Sequence, residues 1–270
     1  MSDILSAVSH RPWPLPKENW VMTQRWNDLL FAHWPIPASQ LSNLIPEGLE
    51  LDTFDGSAWI GIVPFWMDRV RVRGFPAIPG ASRFPELNLR TYVRQRNTIL
   101  NGVYFFSLDA TSLLAVTVAR LAFHLPYYWS RMQIHHRGSS ELSYESERYF
   151  SRKPARFRVS YRGLGPTNEL AESRPGTIEH FLTERYCLYT VDRKKQLLRG
   201  NIHHQLWPLE IAEAEFFLND LPAAHGITLP DTKPLLYYSR ELAVYVWSLE
   251  LALAVGQAAA VPALSGAEIG

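Results

Sequence analysis

Thr117, Arg120 and His124 stand at i, i+3 and i+7 between Ser112 and Pro126, so a helix there would align a hydroxyl, a cation and an imidazole in one stripe. The stripe runs beside an apolar side made by Leu114, Val118, Leu121 and Leu125. Arginine holds carboxylates and phosphates by a planar fork, whereas an amine nucleophile has to be lysine. With 22 arginines against five lysines, the chain is rich in the first kind of cation and poor in the second.

Other reactive side chains point to less. His135-His136 and His203-His204 are neighbours in predicted strands, where adjacent side chains face opposite ways, so neither pair closes on one ion and no metal site is expected. Arg69, Arg71 and Arg73 form a basic row on one face of a predicted strand, which reads as a solvated edge. Without interleaved aromatic residues the row is no nucleic-acid platform. Cys187 is the single cysteine, which excludes an internal disulfide and a thiolate metal cage and fits a reducing, cytoplasmic setting as a small core residue. There is no phosphate-binding glycine loop, no dinucleotide fingerprint and no G-x-S-x-G elbow, so nucleotide and serine-esterase chemistry lose their basis and no cofactor is expected.

The elements that would position these residues are mostly strands. At 270 residues, with 47% hydrophobic and 20% charged residues, the chain supports one large core. A net charge of +1 supplies no overall field toward nucleic acid or an anionic membrane, and no apolar run is long enough to span a bilayer. A single domain is expected over residues 18–252, between loose arms at 1–17 and 256–270. A short helix is predicted over Ala38 to Ile45, then a turn at Asp55-Gly56 and a strand over Ala58 to Phe65. Gly74 to Pro85 reads as a structured surface loop.

Leu87 to Val93 alternates, with Leu87, Leu89, Thr91 and Val93 opposite Asn88, Arg90 and Tyr92. Val103 to Leu108 is bulky on both faces and should be covered on both. Thr111 or Ser112 caps the helix, which is predicted to run to about His124. Further strands are predicted over Arg156 to Tyr161, Tyr186 to Val191, Leu197 to His203, Ile211 to Phe217 and Leu235 to Trp247. Asp192 to Lys195 makes a hairpin turn, and a short helix starts at Thr177 and ends near Thr183. Many strands with no βαβ alternation indicate an antiparallel barrel or sandwich.

Six blocks carry a resemblance. They are W-x-D-L-L-F-A-H-W-P-I from Trp26, F-P-E-L-N-L-R-T-Y-V from Phe84, G-V-Y-F-F-S-L-D-A from Gly102, A-R-L-A-F-H-L-P-Y from Ala119, F-L-T-E-R-Y-C-L-Y from Phe181 and W-P-L from Trp207. Together they resemble the uncharacterised YqjF-like family, which is similar in fold to acetoacetate decarboxylase. The resemblance implies a mainly β, α+β fold: a cone-like antiparallel barrel with a few flanking helices. It also locates a chemical difference. Acetoacetate decarboxylases carry an arginine, five residues and then Pro-Lys-Lys, one lysine forming the imine. Here Arg120 is followed by five residues and then Pro126, Tyr127 and Tyr128, and Leu121 occupies the place of the glutamate after that arginine. Lys194 and Lys195 lie in a predicted exposed turn, too solvated to be neutral amines. Imine-forming decarboxylation is therefore not expected.

If the barrel persists, the resemblance implies a pocket from Arg90, Arg120, Glu86, Tyr127, Tyr128, His124 and Asp109. Arginine there would fix a carboxylate by a bidentate pair. Alternatively Arg120 pairs with Asp109 or Glu86 only to hold the helix on the sheet. Three functions remain open: binding of a small, partly apolar carboxylate, an imine-free lyase or isomerase using Tyr and Arg, and a non-catalytic interaction module with a filled core.

Overall fold

Strand β1 (Met22–Ile36) shows why this chain builds two cores. Leu29 and Phe31 enter one apolar cluster, while Leu30, Ala32, Trp34 and Ile36 enter another. A strand that is apolar on both faces must be covered on both sides. The computed structural model describes residues 4–76, 82–137, 141–166 and 173–252. After β1 come α1 (Ala38–Leu41), β2 (Leu49–Leu51), β3 (Ala58–Val72), β4 (Phe84–Gln95), β5 (Asn101–Ala110), α2 (Leu113–Ala122), β6 (Tyr127–Arg137) and β7 (Glu141–Arg148). Then follow β8 (Arg156–Gly163), α3 (Ile178–Thr183), β9 (Cys187–Val191), β10 (Leu197–His203), β11 (Leu209–Asn219) and β12 (Leu235–Leu251).

All the strands belong to one mixed sheet that closes on itself twice. The first circuit runs β1–β3–β4–β5–β9–β10–β12 and back to β1, because β10 pairs with both β9 and β12. The second leaves β5 through β6, β7, β8 and β11 and returns to β12. The two circuits share the wall β12–β1–β3–β4–β5, and each of the two larger apolar clusters takes alternate residues of that wall. The fold is mainly β, as the resemblance implied.

One expectation needs correction: the sheet is not wholly antiparallel. β5 pairs in parallel with β6 and with β9. Parallel neighbours need a crossover, and α2 provides it between β5 and β6, so one βαβ unit is present after all. Ser112 caps α2 by accepting from the Ala115 N–H at 3.3 Å, but the helix ends at Ala122 rather than His124. His124 is in the left-handed region at φ 49°, and its carbonyl accepts from Thr190 at 2.6 Å. The expected apolar side of α2 is only partly covered: Leu125 is buried, Leu114 and Val118 are exposed but line the cavity, Leu121 is exposed, and the helix's buried residue is Val116.

Thr177 caps α3 as expected, and Asp192 opens the hairpin turn. α1 is shorter than expected, ending at Leu41. β3 runs on to Val72, and a bulge that places Arg69 at φ 50° breaks the arginine row. The amino-terminal arm is not loose throughout: Arg11 is buried, donates to the Ile202 carbonyl at 2.8 Å and covers the Tyr186 ring. The carboxy-terminal arm at 256–270 lies outside the described residues, as do residues 77–81 of the loop after Gly74.

Candidate functional site

The first circuit encloses a cavity of about 460 Å³, so this core is not filled. Trp26, Met67, Phe105, Leu188, Ile202 and Val246 line it from six of the seven strands, and the seventh, β4, contributes Glu86 and Arg90. The alternation read in β4 explains its polarity. Leu87 and Leu89 join the cluster of the second circuit, which turns Glu86 and Arg90 toward the first. The polar face of the β4 alternation is thus turned to the cavity, which β9, β10 and the end of α3 also line through Leu188, Ile202 and Thr183.

Two arginines stand together at one end. Arg90 donates from Nη2 to the Leu182 carbonyl at the end of α3, at 3.3 Å, and lies over the Phe31 and Tyr92 rings. Its Nε is buried without a partner, and among the described residues no carboxylate pairs with it. Arg185 is 4% exposed, donates from Nε to the Phe181 carbonyl at 2.7 Å and from Nη1 to Asp52 at 2.5 Å, and leaves Nη2 unpartnered. Both guanidinium groups face the Tyr92 ring, whose hydroxyl donates to Leu182 O at 2.8 Å. His33 is next to them and fully buried; burial first, then the Arg90 charge, holds its imidazole well below its usual range, so it is neutral.

Glu86 lies at the other end, 4% exposed, and accepts the Tyr127 hydroxyl at 2.6 Å. Burial pushes its carboxyl up to about 7, opposed by hydrogen bonds from Tyr127 and Asn88 and reinforced by the Asp109 charge. Burial and the adjacent Glu86 raise the Tyr127 phenol well above its usual range, so it remains a donor.

Glu86, Arg90 and Tyr127 are thus brought together on one cavity, and four other candidates are not. Arg120 is exposed on α2 and donates through Nε, at 2.7 Å, and Nη2 to the Tyr127 carbonyl. It pairs with neither Asp109 nor Glu86. Tyr128 points the other way, its ring under the Arg148 guanidinium at 3.9 Å. His124 contributes its carbonyl to Thr190 and does not line the cavity. Asp109 is fully buried in a pair with Arg148 through contacts of 2.8–3.0 Å. The corrections for Asp109 and Tyr128 share one cause: adjacent residues of β5 and β6 face different circuits, so Leu108 and Tyr127 meet the cavity while Asp109 and Tyr128 do not.

Arg185, Arg148 and Asp52 were missed. For Arg185 a signal existed in the Thr183-Glu184-Arg185 triplet, charged residues wedged between Leu182 and the aromatic-apolar run from Tyr186. Charged groups in such a setting are normally buried with partners. All five lysines are exposed, and none lines the cavity. Among the described residues no cluster of His, Cys, Asp and Glu is arranged to hold a metal, and no helix is long and apolar enough to cross a membrane.

Known structures place this doubly closed sheet with its interior cavity in the acetoacetate decarboxylase-like fold. Acetoacetate decarboxylase from Legionella pneumophila superposes with a TM-score of 0.60 at 10% identity, over 90% of this chain and 95% of that one. The enduracididine biosynthesis enzyme MppR complexed with pyruvate superposes at 0.59 and 10% identity, over 87% and 91%. Identities this low establish the fold alone. The chain belongs to the DUF2071 family, described as an uncharacterized conserved protein, whose pattern matches residues 23–243. It is 46% identical to the uncharacterized protein YqjF of Bacillus subtilis over 235 residues, 87% of this chain and 94% of that one.

Proposed function

We propose that the cavity binds a small, partly apolar monocarboxylate at Arg90 and Arg185 without forming an imine. The observation that carries this is Arg90: a guanidinium facing an apolar cavity with one buried N–H unpartnered and no carboxylate beside it. A charge in such a place needs a counter-charge, and Arg185 already has Asp52. One uncompensated cation suits one carboxylate, held by charge-assisted hydrogen bonds. The apolar walls then take the rest of the molecule.

The absence of imine chemistry is supported by the surface position of every lysine, since no amine reaches the cavity to attack a carbonyl. Pyruvate in the MppR complex fits the same ligand class. A single, buried cysteine and a near-zero net charge fit a cytoplasmic protein with no nucleic-acid partner. The test is a thermal-shift series of alkyl and aryl carboxylates against wild type and Arg90→Met. At a ligand concentration of 100 times Kd, stabilisation of about 2.7 kcal/mol is expected for wild type. Equal shifts in Arg90→Met, or none in wild type across the series, refute the assignment.

A further inference from the structure

The two polar ends of the cavity are far apart, and that separation restricts the ligand. Glu86 and Arg90 are four residues apart on one face of β4, so their Cα atoms are roughly 13 Å apart at about 3.3 Å per residue. The Arg90 guanidinium lies between the Phe31 and Tyr92 rings, held by the Leu182 carbonyl. Tyr127 approaches Glu86 from β6, on the far side of Leu108. Leu108 is paired with Asn88, midway along β4, and makes the stretch between the poles apolar. A carboxylate seated on Arg90 would extend across this apolar stretch toward Glu86. What meets Glu86 is the other end of the molecule.

The Glu86 end is short of donors: among the described residues its carboxylate meets Tyr127 from β6 and Asn88 on its own strand, with Asp109 on β5 as the nearest other acid. Tyr144 from β7 donates to the backbone carbonyl of Glu86, at 2.7 Å, and not to its carboxylate. Asp109 is locked onto Arg148, so no cation is left over for Glu86. An ionised carboxylate has room for about four hydrogen bonds and is stable when buried only if several are made.

We infer that the ligand is a carboxylate whose far end carries a hydrogen-bond donor, a hydroxyl or an ammonium, received by Glu86 beside Tyr127. With a polar group at each end and Leu108 between them, the cavity suits a ligand whose two polar groups are separated by a medium-length alkyl chain. The inference rests on the carboxylate reading above and specifies its substrate class. It also gives Glu86 a task that a simple fatty acid would not need.

Calorimetric titration of hexanoate and octanoate against their ω-hydroxy and ω-amino derivatives tests it, with octanol as a donor lacking the carboxylate. At least one derivative should bind about tenfold more tightly than its parent, and Glu86→Gln should bring that ratio close to one. The pH response separates the two donors. From about pH 6 to about pH 8, as Glu86 ionises, ω-amino binding strengthens and parent binding weakens, while the hydroxy derivative changes least. Parents and derivatives that bind equally in wild type, while Arg90→Met weakens both, would overturn the donor requirement and leave the carboxylate site standing. No binding by any carboxylate would overturn both, and octanol binding as well as its carboxylate would place the fault in the arginine end.

Discussion

Replacing Glu86 by Gln should make the protein more stable, and increasingly so as pH rises. The amide oxygen can still accept the Tyr127 hydroxyl, now held at 2.6 Å, but the group can no longer ionise. In the folded chain burial raises the Glu86 carboxyl to about 7 from 4.5. Below the lower value both states are protonated and the glutamate costs nothing. Between the two the unfolded chain releases a proton that the folded chain keeps, so wild-type stability falls as pH rises. Above about 7 both are ionised and the deficit is complete. A difference of about 2.5 pH units at about 1.4 kcal/mol per unit comes to roughly 3.5 kcal/mol. In a chain of this size that corresponds to a Tm difference of about 10 °C. Thermal melts of the two proteins from about pH 4 to about pH 8.5 measure it. The gap should open between about pH 4.5 and about pH 7 and then level off. A gap independent of pH would show that Glu86 is solvated or already paired, and would refute the account of its burial. A gap as described would mean that a destabilising group is retained at the cavity, as binding sites often require.

Other outcomes are as specific. Arg148→Met should cost about 3–5 kcal/mol, because it strands the buried Asp109, and Asp109→Leu in the same chain should recover much of that loss. A double variant no more stable than Arg148→Met would mean that the pair is not the buried unit described. Gly102→Ala should be markedly destabilising in chemical denaturation, since its Cβ would lie 2.6 Å from the Cys187 carbonyl and sulfur; wild-type stability would contradict the β5–β9 packing. Incubation with acetoacetate or pyruvate and borohydride should leave the intact mass unchanged; a reduced imine adduct would refute the imine-free reading.

Much of the β framework is legible because period-two patterning survives in strands that lie between two cores. Val103 to Leu108 reads as doubly covered and is; Thr177 and Ser112 read as caps and are. β1 escapes notice as a strand for the same reason that it matters: apolar on both faces from Leu29 to Ile36, it shows no alternation. β6 and β7 mix polar and apolar residues because one face meets the second core and the other meets solvent or the Asp109–Arg148 pair. The facing of site residues is harder still. Tyr127 and Tyr128 have the same chemistry in sequence, and only the β5–β6 pairing assigns one to the cavity and the other to Arg148. Arg120 stands where the decarboxylase motif has its arginine, but α2 turns Leu114, Ala115, Val118 and Ala119 to the cavity and leaves Arg120 exposed, its guanidinium holding the Tyr127 carbonyl.

That exchange of roles says something about the cavity's chemistry. With phenols following Pro126 and every lysine on the surface, the interior cations are guanidinium groups, which neither lose a proton near neutrality nor attack a carbonyl. The cavity's remaining ionisable groups are silent as well: burial lowers His204 to about 4 and raises Tyr127 well above its ordinary range. Glu86 is then the one cavity-lining group, among the described residues, whose charge changes near pH 7. A pH response of ligand binding near neutrality is therefore expected to follow Glu86. Such a response should disappear in Glu86→Gln while persisting in Tyr127→Phe, where the carboxyl loses one donor and titrates higher still.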